Sequence, residues 1–194
     1  MGKISLQNTE SKPRKSVLKL VIPILSIVVI VGSIGLFWWY TQIVPAQQYA
    51  MYSKYGFSFQ YPLDMTVSDQ GATDDSGMVV CELKNDGHEL VAVSWLRTLV
   101  APDLEASLYK GLKEMAEMGC VTEFSKGNLA ETTKAENRMI YQNFTMVSSG
   151  EKLFGVYGVW YCGTNQRFYQ LYVYYGQENV LPMFQRYIDS FICD

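Results

Sequence analysis

No charged residue occurs between Leu20 and Ser53. So long an uncharged stretch excludes an ordinary solvated linker, and the residues that fill it show why. Positions 20–37 hold thirteen Leu, Ile, Val or Phe residues. On the membrane-insertion scale they contribute about −4 to −8 kcal/mol, before Pro23, the serines and the glycines are set against them. A helix of about 21 residues spans about 30 Å, the thickness of a hydrocarbon core. Residues 20–41 are therefore expected to form one transmembrane helix, with Pro23 in its first turn, where a missing N–H costs little. Trp38, Trp39 and Tyr40 are placed to sit at the outer membrane interface. The small residues around Ala46 suit signal peptidase. The apolar run is nevertheless longer than the roughly 7 to 15 residues of a cleaved leader, so the anchor is expected to be retained.

Reactive side chains are scarce. His88 is the one histidine, and it follows Asp86-Gly87, a two-residue hairpin signal. An exposed turn suits it better than a Ser-His-Asp arrangement. No two cysteines have CxxC spacing, which removes the usual zinc frameworks. Asp74-Asp75 lie in a polar loop without an EF-hand pattern and read as solvated. No glycine-rich phosphate loop precedes a helix. The chain is thus expected not to be an enzyme, and no residue pattern asks for a metal or cofactor.

Positive charge is missing from most of the chain and concentrated at one end. Residues 1–19 carry five basic residues against Glu10, a net of +4, while the remainder holds 11 basic and 18 acidic residues, a net of −7. The basic segment marks 1–19 as a cytoplasmic tail and sends the rest outside, in a cell-membrane protein that crosses once. An acidic body excludes nucleic acid as its partner. Cys81, Cys120, Cys162 and Cys193 all follow the span. Outside the cytoplasm an even count reads as two disulfides with three possible pairings.

Residues 42–53 read as a tether and 54–194 as a single domain. Phe57, Phe59 and Tyr61 alternate in a strand that Pro62 stops, and "MTVSD" is a second short strand. "MVVCELKN" and "HELVAVSWLR" flank the Asp86-Gly87 turn. The second of these is apolar on both sides, so it is expected to be covered on both faces. "APDLEASLYKGLKEMAEMG" changes to helical period, with Asp103 and Glu105 in the first turn and Gly119 as its stop. "VTEFSKGNLAETTKAENR" is mostly polar strand and loop. The strands "MIYQNFTMVS", "LFGVYGVWYC" and "RFYQLYVYY" follow, and "NVLPMFQRYIDSF" is a final helix. Hairpin-linked strands with two amphipathic helices imply an α+β fold, an antiparallel sheet sandwiched between helices. In this order the last helix returns to the end of the strand carrying Cys162, which favours Cys162–Cys193. The hairpin and first helix likewise favour Cys81–Cys120.

Smaller features carry bland readings. Tyr169, Tyr172, Tyr174 and Tyr175 suggest a ligand platform but fit core-edge packing better. Arg167 reads as a strand-end or turn residue. Asn143-Phe144-Thr145 is an N-glycosylation sequon inside an expected strand.

"YGFSFQYPLDMTV", the "DLEASL" helix start and "GVWYCGTNQRFYQL…MFQRYIDSF" resemble the PsbP-like family over residues 54–194. Met65 stands where that family usually has Trp. The resemblance implies an α/β/α sandwich and a mainly non-catalytic role. The photosystem II extrinsic subunit docks on a membrane complex, and other relatives bind proteins. The function expected is that of an anchored, extracytoplasmic accessory or assembly subunit of a membrane complex. It would act by protein–protein contact, with the lipid bilayer and a membrane-associated protein as partners. The alternative is an envelope small-ligand-binding or sensor module, which a pocket of about 300 Å³ or more lined by the tyrosines would favour.

Overall fold

The computed structural model describes residues 48–83, 89–134 and 136–193, together with Ser33. The chain divides into two compact units, Met1–Ala46 and Gln47–Asp194. Apart from Ser33, which is helical, the expected span 20–41 lies outside the described residues, as do Trp38, Trp39 and Tyr40. No helix among the described residues is long and apolar enough to cross a membrane.

The second unit begins earlier than expected. β1 (Tyr49–Lys54) occupies much of the stretch read as a tether and pairs antiparallel with β2 (Phe57–Pro62). Tyr55 and Gly56 join them with φ of 54° and 68°, the left-handed pair that a two-residue hairpin turn demands. Gly56 is required twice over. A Cβ there would strike the Arg167 guanidinium, which donates to the carbonyl oxygens of Tyr55 and, at 2.7 Å, Asp74. The "YGFSF" motif is therefore a turn clamped by a distant arginine.

β3 (Met65–Gln70), β4 (Ser76–Leu83) and β5 (Glu89–Arg97) follow, then α1 (Leu104–Ala116). The Asp103 carboxylate caps α1 by accepting from the N–H groups of Glu105 and Ala106. The helix ends at Glu117, before the Gly119 expected to stop it. β6 (Val121–Lys134), β7 (Asn137–Ser148), β8 (Glu151–Cys162) and β9 (Arg167–Tyr175) lead to α2 (Leu181–Ser190) and β10 (Ile192–Cys193).

The strands form a seven-stranded sheet in the order β3-β4-β5-β9-β8-β7-β6 and a three-stranded sheet β1-β2-β10. The larger core lies between one face of the big sheet and a layer made by α2 with the small sheet. Phe57, Phe59, Trp160, Tyr169 and Phe191 are each no more than 1% exposed there. Phe191 packs against four aromatic neighbours, with centroids between 4.9 and 6.3 Å. Each such ring contributes about 1.5–3 kcal/mol by leaving water. α1 covers the opposite face with Leu108 and Leu112.

The expected α/β/α sandwich is thus corrected to a mostly antiparallel β structure. One outer layer is part sheet and part helix, and the other is a single helix. β1 was hidden because it does not alternate cleanly, while the stretch expected to be mostly polar strand and loop is one long strand, β6. β6 is largely exposed and charged, and two register shifts interrupt its pairing with β7. Bulges and charges are how an edge strand avoids pairing with other chains.

Candidate functional site: an uncovered half of the sheet

The apolar face of β5 that should have been buried leads to the site. α1 packs chiefly on β6, β7 and β8, which leaves the same face of β4, β5 and β9 without a helix over it. Strand register sets the floor in three rows: Met78–Ser94–Gln170, Val80–Ala92–Tyr172 and Glu82–Leu90–Tyr174. Val93 and Trp95 point the other way and are buried, while Leu96, on the open face, is 54% exposed.

One wall is α1. Gly111 there takes no Cβ, because Tyr157 fills that position. A glycine inside a helix costs roughly 1 kcal/mol relative to alanine, and here it lets helix and sheet close at one end of the trough. Met115 and Met118 continue the wall, and Met146 lines it with them, around a hollow of about 440 Å³. A second hollow of about 300 Å³ shares Gly111, Glu114 and Gln170 with it and runs on past Ser107 and Pro102. The trough accordingly follows α1 along its length.

Its chemistry is that of a binding surface. The Tyr172 hydroxyl donates to Met78 Sδ at 2.9 Å, and Ser94 Oγ donates to Gln170 Oε1 at 3.2 Å. Burial raises the hydroxyl pKa of Tyr157, Tyr172 and Tyr174 above that of free tyrosine, so these groups stay neutral donors. The charged residues lining the main hollow are Glu82 and Glu114. Glu114 lies 3.8 Å from Lys110, an exposed pair of little strength. Soft methionine side chains adapt to irregular apolar partners. No nucleophile paired with a base lines the trough, and among the described residues no three His, Cys, Asp or Glu side chains gather to hold a metal.

The residues picked from sequence are scattered by the fold. The four tyrosines of β9 divide by strand alternation: Tyr172 and Tyr174 face the trough, while Tyr169 and Tyr175 face the larger core. Arg167, expected at a strand end or turn, opens β9 and is buried, clamping the distant Tyr55-Gly56 turn. Asp75 pairs with Arg97 at 3.3 Å, and the Asp74 carbonyl serves Arg167. Asn143 is exposed on β7 although its backbone is paired. His88 lies outside the described residues.

All four cysteines are free thiols. Burial, followed by the neighbouring Cys162 thiol, raises the Cys193 thiol pKa. Cys81 is buried in the larger core, and burial lifts its thiol to about 12. Cys120 is exposed on the α1 side, close enough to act on Tyr174. The Cys81–Cys120 pairing is corrected on this ground, since the two thiols lie on opposite faces of the sheet.

Sequence reasoning passed over Met78 and Met146 and took Met115 and Met118 only as part of the apolar stripe of α1. The signal lay in nine methionines in the chain and a strand apolar on both faces.

No family model and no curated protein matches this sequence. Solved structures do match. The solution structure of cyanobacterial PsbP (CyanoP) from Synechocystis sp. PCC 6803 superposes with a TM-score of 0.59 at 15% identity, covering 78% of this chain and 96% of that one. The fold is PsbP-like. The same architecture extends to the Saccharomyces cerevisiae Ran-binding protein Mog1p, with a TM-score of 0.53 at 9% identity, covering 76% of this chain and 96% of that one. In this PsbP-like domain the first strand is β1, which begins a few residues before the expected boundary at Lys54.

Proposed function

We propose that the PsbP-like domain is a non-catalytic binding module displayed at a membrane, acting by protein contact as an accessory or assembly subunit of a membrane complex. The observation that carries the contact role is the uncovered floor of β4, β5 and β9 beside α1. A lone domain gains by covering such a surface, and contiguous apolar patches of this kind mark interaction sites. The Ran-binding activity named for Mog1p is a precedent for protein contact on this architecture. Support for membrane display comes from the uncharged stretch 20–53 and the basic segment before it. With the tail on the cytoplasmic side, the domain lies outside.

A photo-reactive phenylalanine analogue replacing Leu96 should cross-link a discrete protein in native membranes, whereas the same probe at Lys152, away from the trough, should not. Recovery of an unaccompanied monomer from both, and from probes elsewhere on the domain, would end the reading. A second reading, a small-ligand or sensor module, is favoured by one observation: the main hollow of about 440 Å³ is lined by Tyr172 and Tyr174. A thermal shift with small metabolites in the absence of any protein partner is its test.

A further inference from the structure

We infer that the trough beside α1 is a slot for one additional α-helix, supplied by a partner and amphipathic, with an apolar face and basic residues at its margin. The inference rests on the protein-contact reading above and names the chemistry of the partner.

Geometry supplies the shape. Strands lie about 4.8 Å apart, so β9, β5, β4 and β3 offer roughly 14 Å of sheet width. Helices pack at about 8–10 Å from a neighbouring helix axis. With α1 over β7 and β8, the strands it does not reach leave room for one helix and not for two, and Val80 and Ala92 at the bottom of the trough are only 4% and 1% exposed. α1 has 13 residues, about 20 Å of length, and the two hollows run beside it, so an occupant of three to four turns fits. A strand is excluded as the occupant, because the exposed floor is a sheet face whose N–H and C=O groups are already paired within the ladder.

Charge supplies the chemistry. Glu82 on β4 and Glu114 on α1 are the charged groups of the main hollow, and Lys110, in a weak exposed pair with Glu114 at 3.8 Å, is the cation that lines the second. Both carboxylates are exposed, so they cost nothing in the free domain and are available to a cation arriving at the edge. Met78, Met115, Met118 and Met146 and the ring faces of Tyr172 and Tyr174 meet the apolar stripe between them. An acidic amphipathic helix would bring like charges together and is disfavoured.

The full chain in zwitterionic lipid nanodiscs, with methyl-labelled methionine, tests this. The probes are an 18-residue Leu/Lys amphipathic peptide and its Leu/Glu counterpart. The Leu/Lys peptide is expected to shift the methyl signals of Met78, Met115, Met118 and Met146 and leave those of the buried Met65 and Met139 in place. The Leu/Glu peptide should bind at least about tenfold more weakly, and the double change Glu82→Lys and Glu114→Lys should reverse that order. Both positions are exposed, so the variant keeps its fold, which unchanged Met65 and Met139 signals confirm. Equal binding of both peptides, or shifts confined to other methionines, overturns the inference. Leu96 cross-links to a non-helical or acidic partner segment would overturn it while leaving the protein-contact reading intact. Absence of any protein adduct would remove that reading as well.

Discussion

Glu89 opens β5 and is 4% exposed, with Oε1 unpartnered among the described residues. Burial first, and the nearby Asp64 carboxylate second, lift its carboxyl to about 7. Tyr49, Tyr175, Tyr187 and the exposed Arg186 surround the same small hollow of about 100 Å³. A carboxyl raised in the folded state binds its proton more tightly there than in the unfolded chain, where it titrates near 4.5. Its contribution is thus complete below about pH 4.5 and is lost as pH rises through about 7, with a total of about 3 kcal/mol. Glu89→Gln is expected to flatten that decline, melting at higher temperature than the parent at about pH 8 and level with it at about pH 5. Thermal melts across this range decide it, and a parent whose Glu89-dependent stability climbs with pH would refute it. Nothing in "NDGHELV" announces a buried carboxylate. Alternation puts Glu89 on the same face as Val91 and Val93, and only the arrival of α2 and β1 shuts out the water.

Among the elements, the shortest strand has the clearest consequence. β10 has two residues and pairs with β2 through Ile192↔Ser58 and Cys193↔Phe57. α2 brings it there, packing Phe184, Tyr187 and Ile188 into the core. That return is what sets the Cys193 thiol against Cys162 at the end of β8. Material from an oxidising compartment is expected to give a Cys162–Cys193 peptide under non-reducing digestion. Cys120 should alkylate within minutes and Cys81 only after unfolding. A loop of about 30 residues closed in this way would add about 4 kcal/mol in the chain-entropy model. Native peptide maps that join Cys81 to either partner would contradict the sheet register itself. The helix and strand order around Cys162 was readable from periodicity. The separation of Cys81 from Cys120 was not, because a hairpin followed by a helix reaches either face of a sheet with the same element order.

At the scale of the molecule, the acidic body and the basic tail of net +4 flank the uncharged stretch, and on the reading proposed above its residues 20–41 lie in lipid. The full-length protein is expected to stay in the membrane pellet after alkaline carbonate washing, and a variant with two arginines replacing Val28 and Val29 should be released. Release of the unaltered protein would remove the membrane from its description. The layer arrangement gives the other consequence. A seven-stranded sheet with α2 and a small sheet on one side and a single helix on the other is one helix short of full cover. On the reading proposed above, that shortfall is what the domain offers to a partner.

The sequence by itself determined the local and periodic features. These were the uncharged stretch, the Pro62 strand end, the α1 and α2 stripes, and the hairpins around β8, each set by short-range sterics or by alternation of two or 3.6 residues. Tertiary structure alone decided which face each layer covers. One helix reached the α1 side, so the second face of β5 is closed over Ala92 and open at Leu96. Arg167 came to clamp a turn more than a hundred positions earlier, and Glu89 lost its water. These outcomes depend on which elements meet across the sheet, and contacts between segments far apart along the chain leave no periodic trace in either segment.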